Sequence, residues 1–146
     1  MIEIVNNQRK VKLDWQIFRT FAEAAINKIP ETLDKSLTIA FVSDGKMREL
    51  NKKFRGKNST TDVLSFPFLS EPGAVATGDA LDFLGDIVIS VEQAERQSKE
   101  NDLSLELEIK QLILHGILHL CGYDHETDAG EMNGLELELR DKLSIL

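Results

Sequence analysis

Cysteine, proline, histidine and positive charge are all scarce in this chain. One cysteine in 146 residues excludes an internal disulfide framework and fits a reducing compartment. No apolar run of about 18 residues occurs, so hydropathy provides no membrane-spanning helix. The start, Met1-Ile2-Glu3-Ile4-Val5, lacks the basic residues and apolar stretch of a secretory signal. A cytoplasmic protein with no membrane contact is therefore expected. Lys and Arg number 17 against 25 Asp and Glu, a net charge of −8. On total charge alone this disfavours a nucleic-acid partner. Gly-x-Ser-x-Gly is absent, and Gly45-Lys46 runs into Met47 rather than Ser or Thr, which excludes a nucleophile elbow and a P-loop. Without repeats, low-complexity segments or a linker, residues 1–146 read as one domain.

The patterning predicts an α+β fold. Strands are expected at Ile2 to Asn6, Ser36 to Ser43, Asp62 to Phe66 and Phe83 to Ile89, where apolar and β-branched residues cluster between turn signals. A helix from Trp15 to Lys28, capped by Asp14, carries Trp15, Phe18, Ala22, Ala25, Ile26 and Ile29 on one stripe. Asp44 is expected to cap a second helix ending at Gly56, and Ser90 with Gln93 to form a capping box for a third. Ser104 caps a fourth over Leu105 to Cys121, and a fifth, acidic helix runs from about Asp128 to Leu143. Residues 69–82 form a long Gly- and Pro-containing connection, read as a surface loop. The expected architecture is a mixed sheet of about four strands layered with about five helices. The strands flanking the 69–82 loop pair antiparallel.

All three histidines fall in His115-Gly116-Ile117-Leu118-His119-Leu120-Cys121-Gly122-Tyr123-Asp124-His125. His115 and His119 are four apart on a helix, hence on one face. Gly122 can end that helix in the left-handed conformation and turn the chain back. His125 then returns toward the first pair. Three imidazoles with an open fourth position form the catalytic arrangement of zinc. Another transition metal such as Ni²⁺ is compatible with the same ligands. A water bound in such a site has a pKa near about 7. Cys121 reads as a small apolar residue rather than a ligand, and Met132 as core.

The spacing matches the metzincin signature H-E-x-x-H-x-x-G-x-x-H, but Gly116 stands where those peptidases carry their glutamate base. That substitution counts against a metallopeptidase. Asp124 and Glu126 flank the third histidine as candidate bases, or as hydrogen-bond partners of the ligands. A counterpart for phosphate lies elsewhere. Between Lys46 and Lys57, Lys46, Arg48, Lys52, Lys53, Arg55 and Lys57 oppose only Glu49, a net +5 in twelve residues that leaves −13 for the rest. Such a segment can track a phosphate backbone, or be a solvated helix face. Arg55, just before Gly56, can clamp phosphate bidentately.

The histidine stretch resembles the H-G-x-L-H-L-x-G-Y-D-H signature of the bacterial YbeY family. The resemblance continues in Phe54-Arg55-Gly56-Lys57, in Thr61-Asp62-Val63-Leu64-Ser65-Phe66-Pro67 and in Leu84-Gly85-Asp86-Ile87-Val88-Ile89. It covers about the whole chain in the same order. It implies a metal-dependent, single-strand-specific endoribonuclease, usually with zinc, that matures the 3′ end of small-subunit (16S) rRNA and serves ribosome quality control. By matching position, it implies that His115, His119 and His125 hold the metal. His115 and Arg55 are the implied catalytic residues, and Lys52, Lys53 and Lys57 join Arg55 in binding RNA. The expected partners are single-stranded RNA, the small-subunit rRNA precursor and the small ribosomal subunit, with no DNA. Two rivals remain in view: a metallopeptidase or other metal hydrolase, and a non-catalytic ribosome-associated zinc protein.

Overall fold

A computed structural model of the chain describes residues 1–68, 82–123 and 130–145. The described elements follow in order: β1 (Ile2–Asn6), α1 (Trp15–Lys28), a 3₁₀ turn (Pro30–Thr32), β2 (Ser36–Val42), α2 (Asp44–Arg55), β3 (Val63–Pro67), β4 (Phe83–Ser90), α3 (Val91–Glu100), α4 (Leu105–Leu120) and α5 (Glu131–Lys142). The sheet order is β1-β2-β4-β3. β1 and β4 both run parallel to β2, whereas β3 pairs antiparallel with β4. The expected mixed sheet and its one antiparallel pair are therefore present. Among the described residues no helix is long and apolar enough to cross a membrane.

Strand alternation divides the interior between the two faces of the sheet. Leu37, Ile39, Phe41, Ile87 and Ile89 point to one face and form the main core with α1, α4 and Met132 and Leu139 of α5. Val42, Leu64 and Val88 point to the other face, where Met47 of α2 closes a smaller cluster. Helices α2 and α4 consequently lie on opposite faces.

Two sequence expectations need correction. Ser43, not Asp44, caps α2: its Oγ accepts from the Lys46 backbone N–H at 3.3 Å. Asp44 is instead the first helical residue, which frees its carboxylate for contacts beyond the helix. Trp15 does not join the buried stripe of α1 and is 42% exposed. It occupies the helix's first position and lines a shallow groove with Ile2, Ile4 and Arg19 beside β1. There β1 forms the edge of the sheet among the described residues.

A bulge re-aims the start of β4. Leu84 and Gly85 together oppose Leu37, because Ser36 pairs with Phe83 and Thr38 with Asp86. Leu84 thereby packs against the main core, while the Phe83 ring meets Phe68 edge-on at 5.5 Å. Gly85 has φ +139°, and a Cβ there would stand 2.2 Å from the Phe66 carbonyl oxygen. Gly85→Ala should therefore cost more than about 1 kcal/mol. Gly134→Ala, in α5 with open space around it, should add about 0.5–1 kcal/mol. Urea unfolding of the two variants should move the midpoint in opposite directions. A shift in the same direction would contradict this account.

Candidate metal centre and nucleic-acid interface

Helix α4 forms because both ends are capped and its sides are apolar. The Ser104 Oγ accepts from the Leu107 N–H at 3.1 Å, and Glu106 and Glu108 in the first turn suit the positive end of the helix dipole. At the other end the Gly122 N–H donates to the His119 carbonyl and the Tyr123 N–H to the Leu118 carbonyl. With Gly122 at φ +95°, this is a Schellman reversal. The sequence-based stop at Gly122 is confirmed, with Cys121 as the C-cap.

Near the C-terminal end of α4, the Nε2 atoms of His115 and His119 lie 3.0 Å apart. Two zinc–nitrogen bonds of about 2.0–2.1 Å at a tetrahedral angle place their nitrogens about 3.3 Å apart. The pair thus has nearly the separation that one shared ion requires; without metal the same contact is an N–H···N hydrogen bond. His115 Nδ1 sits 3.0 Å from Glu136 Oε1 on α5. A carboxylate there accepts the Nδ1 proton and leaves Nε2 unprotonated, the tautomer a metal ligand needs. Glu136 is itself buried, whereas the His115 side chain is 27% exposed. The imidazoles are therefore half-buried and reachable, not sealed in the core.

Glu136 was missed in the sequence reading. A signal was present: it stands four residues after Met132 and three before Leu139, both buried, so it is an acid on the apolar stripe of α5. A buried carboxylate needs a partner, and His115 provides one. Met132 is core, as expected. Burial, and secondarily the charge of Glu31, push the Cys121 thiol up to about 11. His125, Asp124 and Glu126 lie outside the described residues.

Gly116 accounts for the missing glutamate. It is buried, and a Cβ at this position would come within 2.9–3.1 Å of the Ile87 side chain. The position after His115 faces the sheet at close range, so any side chain there would have to displace Ile87.

Lys52, Lys53, Arg55 and Lys57 are exposed at the C-terminal end of α2 and just beyond. Gly56 ends the helix at φ +70°. Of the six cations from 46 to 57, only Lys46 is in an ion pair among the described residues, with Glu49 at 3.6 Å. Asn51 holds the following loop, its Nδ2 donating to the Ser59 carbonyl at 2.8 Å. The basic segment does not share a face with the histidines: it lies across the sheet from α4.

The model of the family described as Endoribonuclease YbeY matches residues 3–144. The chain belongs to this family. The Endoribonuclease YbeY of Nautilia profundicola is 43% identical, over 87% of this chain and 88% of its own. That of Thermodesulfovibrio yellowstonii is 36% identical over 97% and 96%, respectively. The solution structure of TM1509 from Thermotoga maritima is similar over 98% of this chain and 89% of its own, with 28% identity and a TM-score of 0.65. The YbeY resemblance seen in the histidine stretch thus extends over nearly the whole chain.

In this YbeY-family chain, a polar network fixes the root of the basic helix. Asp44 Oδ1 accepts from Ser90 Oγ at 2.7 Å and from Thr60 Oγ1 at 3.1 Å, while Oδ2 meets Arg96 at 2.7 Å. The Asp44 backbone N–H donates to Glu92. One carboxylate therefore ties α2 to α3, to the end of β4 and to the loop before β3. Burial pulls its pKa upward, but hydrogen bonds from Ser90, Arg96 and Thr60 and the charge of Arg96 hold it below the ordinary value. With the folded pKa depressed, this stabilisation is present above the unfolded pKa of about 3.9 and is lost as pH falls through the lower folded value. Asp44→Asn should consequently unfold more readily than the native chain at pH 7. Thermal melts should show that gap narrowing below about pH 4; a gap independent of pH would refute the linkage.

Proposed function

We propose that the protein is a metal-dependent endoribonuclease that cuts single-stranded RNA, with the 3′ end of the 16S rRNA precursor on the small ribosomal subunit as its physiological substrate. Membership of the YbeY family over residues 3–144 carries the assignment to RNA. The metal part draws its support from the two imidazole nitrogens 3.0 Å apart and the carboxylate behind one of them. His115, His119 and His125 would hold one ion, Zn²⁺ or another transition metal such as Ni²⁺. When bound, the ion supplies Lewis acidity and an acidified water for attack on phosphorus.

The chain's own residues bind and orient. Glu136 sets the His115 tautomer. Arg55 grips phosphate and offsets charge that builds during cleavage. Lys52, Lys53 and Lys57 raise the local concentration of the polyanion on an otherwise acidic protein. Asp124 and Glu126 are candidates for the base. The site works in the cytoplasm, where its RNA is found.

Purified protein should cleave single-stranded rRNA, and chelation or His115→Ala should lower the rate by about 100-fold or more. Cleavage that survives both would sink the metal mechanism. Binding to small-subunit particles that persists in His115→Ala, with no cleavage by the native protein, would indicate a ribosome-associated factor without catalysis. Glu136→Gln should weaken metal binding by about 10- to 100-fold. Competition for Zn²⁺ against a chromogenic chelator measures this directly, and unchanged affinity would remove Glu136 from the site.

A further inference from the structure

Phe54 is an aromatic residue placed where burial does not explain it. It is 55% exposed on α2, between Lys53 and Arg55. It is also held. The Phe66 ring of β3 meets it edge-on at 5.1 Å and 66°, and Lys53 Nζ stands 5.3 Å from its centroid. The Phe66 contact orients the ring, its 55% exposure leaves surface for a ligand, and the Lys53 ammonium over it is a flexible group that an incoming base can displace. A cation at the same place attracts phosphate.

Its position relative to the histidines is set by β3. Phe66 pairs with Asp86, and the preceding Ser65 pairs with Ile87. Ile87 is the residue that Gly116 rests on, next to His115. Successive residues of a strand face opposite sides. Ser65 therefore faces α4 beside the histidine helix, and Phe66 faces α2 beneath Phe54. The two sites stand back to back at the same level of β3, which is the edge strand of the described sheet. RNA held by the basic segment would reach the histidines across that edge. An unpaired, flexible strand can make that crossing, whereas a stiff duplex would have to bend sharply.

We infer that Phe54 is a stacking platform for an unpaired base of the RNA substrate, with Lys53 and Arg55 on the flanking phosphates, where the strand turns over the edge of β3 toward the histidines. This rests on the reading of the protein as a ribonuclease for single-stranded RNA, and it names a subsite for that substrate.

The test uses the full chain in a His115→Ala background, where the proposed mechanism allows no cleavage, and a fluorescein-labelled single-stranded RNA, so that binding is read apart from cleavage; the native reference is the chain with Phe54 and Arg55 intact in that background. Phe54→Ala and Phe54→Leu should each raise the Kd about fivefold or more, the low end of the effect of losing one stacked base. Phe54→Trp should keep native affinity, and the indole it introduces should be quenched by RNA. The slope of log Kd against log salt should stay native in the Phe54 variants and fall in Arg55→Ala. An RNA with abasic residues should bind the native protein and Phe54→Ala equally. Native affinity in a folded Phe54→Leu would overturn the proposal, as would an equal penalty on abasic RNA. If Phe54→Ala fails to fold, the Leu and Trp variants decide. Native protein that binds no single-stranded RNA would overturn the ribonuclease reading, and the subsite with it.

Discussion

The close seating of α4 on the sheet at Gly116 is the constraint from which the site follows. A Cβ there would press into Ile87, so the helix comes as near to β4 as its backbone allows. That approach places His115 and His119 on the adjoining face with their Nε2 atoms converged. It also fits α5 alongside, where buried Glu136 reaches His115. The glycine that excludes a peptidase-type glutamate is the same glycine that lets the helix dock. The chemistry available to the histidines and the packing of the helix that carries them have one physical cause.

The second organising feature is the edge strand β3. Its antiparallel pairing with β4 puts Ser65 toward α4 and Phe66 toward α2, so one strand borders both the histidine helix and the basic helix. The bulge at Gly85 keeps the neighbouring register compatible, turning Leu84 into the main core while Phe83 meets Phe68. Asp44 completes the arrangement. A helix rich in cations and poor in apolar residues has little to hold it by burial alone, and the contacts of Asp44 with Ser90, Thr60 and Arg96 fasten its first turn. The free end of the helix then carries Arg55 and Phe54 at the margin of the sheet.

Most elements were legible because their signals are local. Apolar spacing located α1 and α4, β-branched runs located β2 and β4, and Gly122 located the reversal after His115 and His119. Errors arose where a local rule had two candidates. Ser43 and Asp44 are both good caps, and the Asp44 carboxylate is drawn to α3 and β4, whose proximity no local pattern shows. Trp15 fits the apolar stripe of α1 by period, but the stripe outlasts the surface it packs against. Glu136 is one acid among 25 acidic residues; only the packing of α5 on α4 sets it apart.

The sequence by itself determined the family, the mixed α+β architecture, the helix that carries His115 and His119, and the charge of the segment from 46 to 57. These follow from residue type and spacing along a few turns of chain. The tertiary structure alone decided that Glu136 orients His115, that Gly116 lies against Ile87, and that the basic helix and the histidines occupy opposite faces joined at β3. Each of those depends on which strands are neighbours and on the parity of their register, properties that arise only when segments distant in sequence pack together.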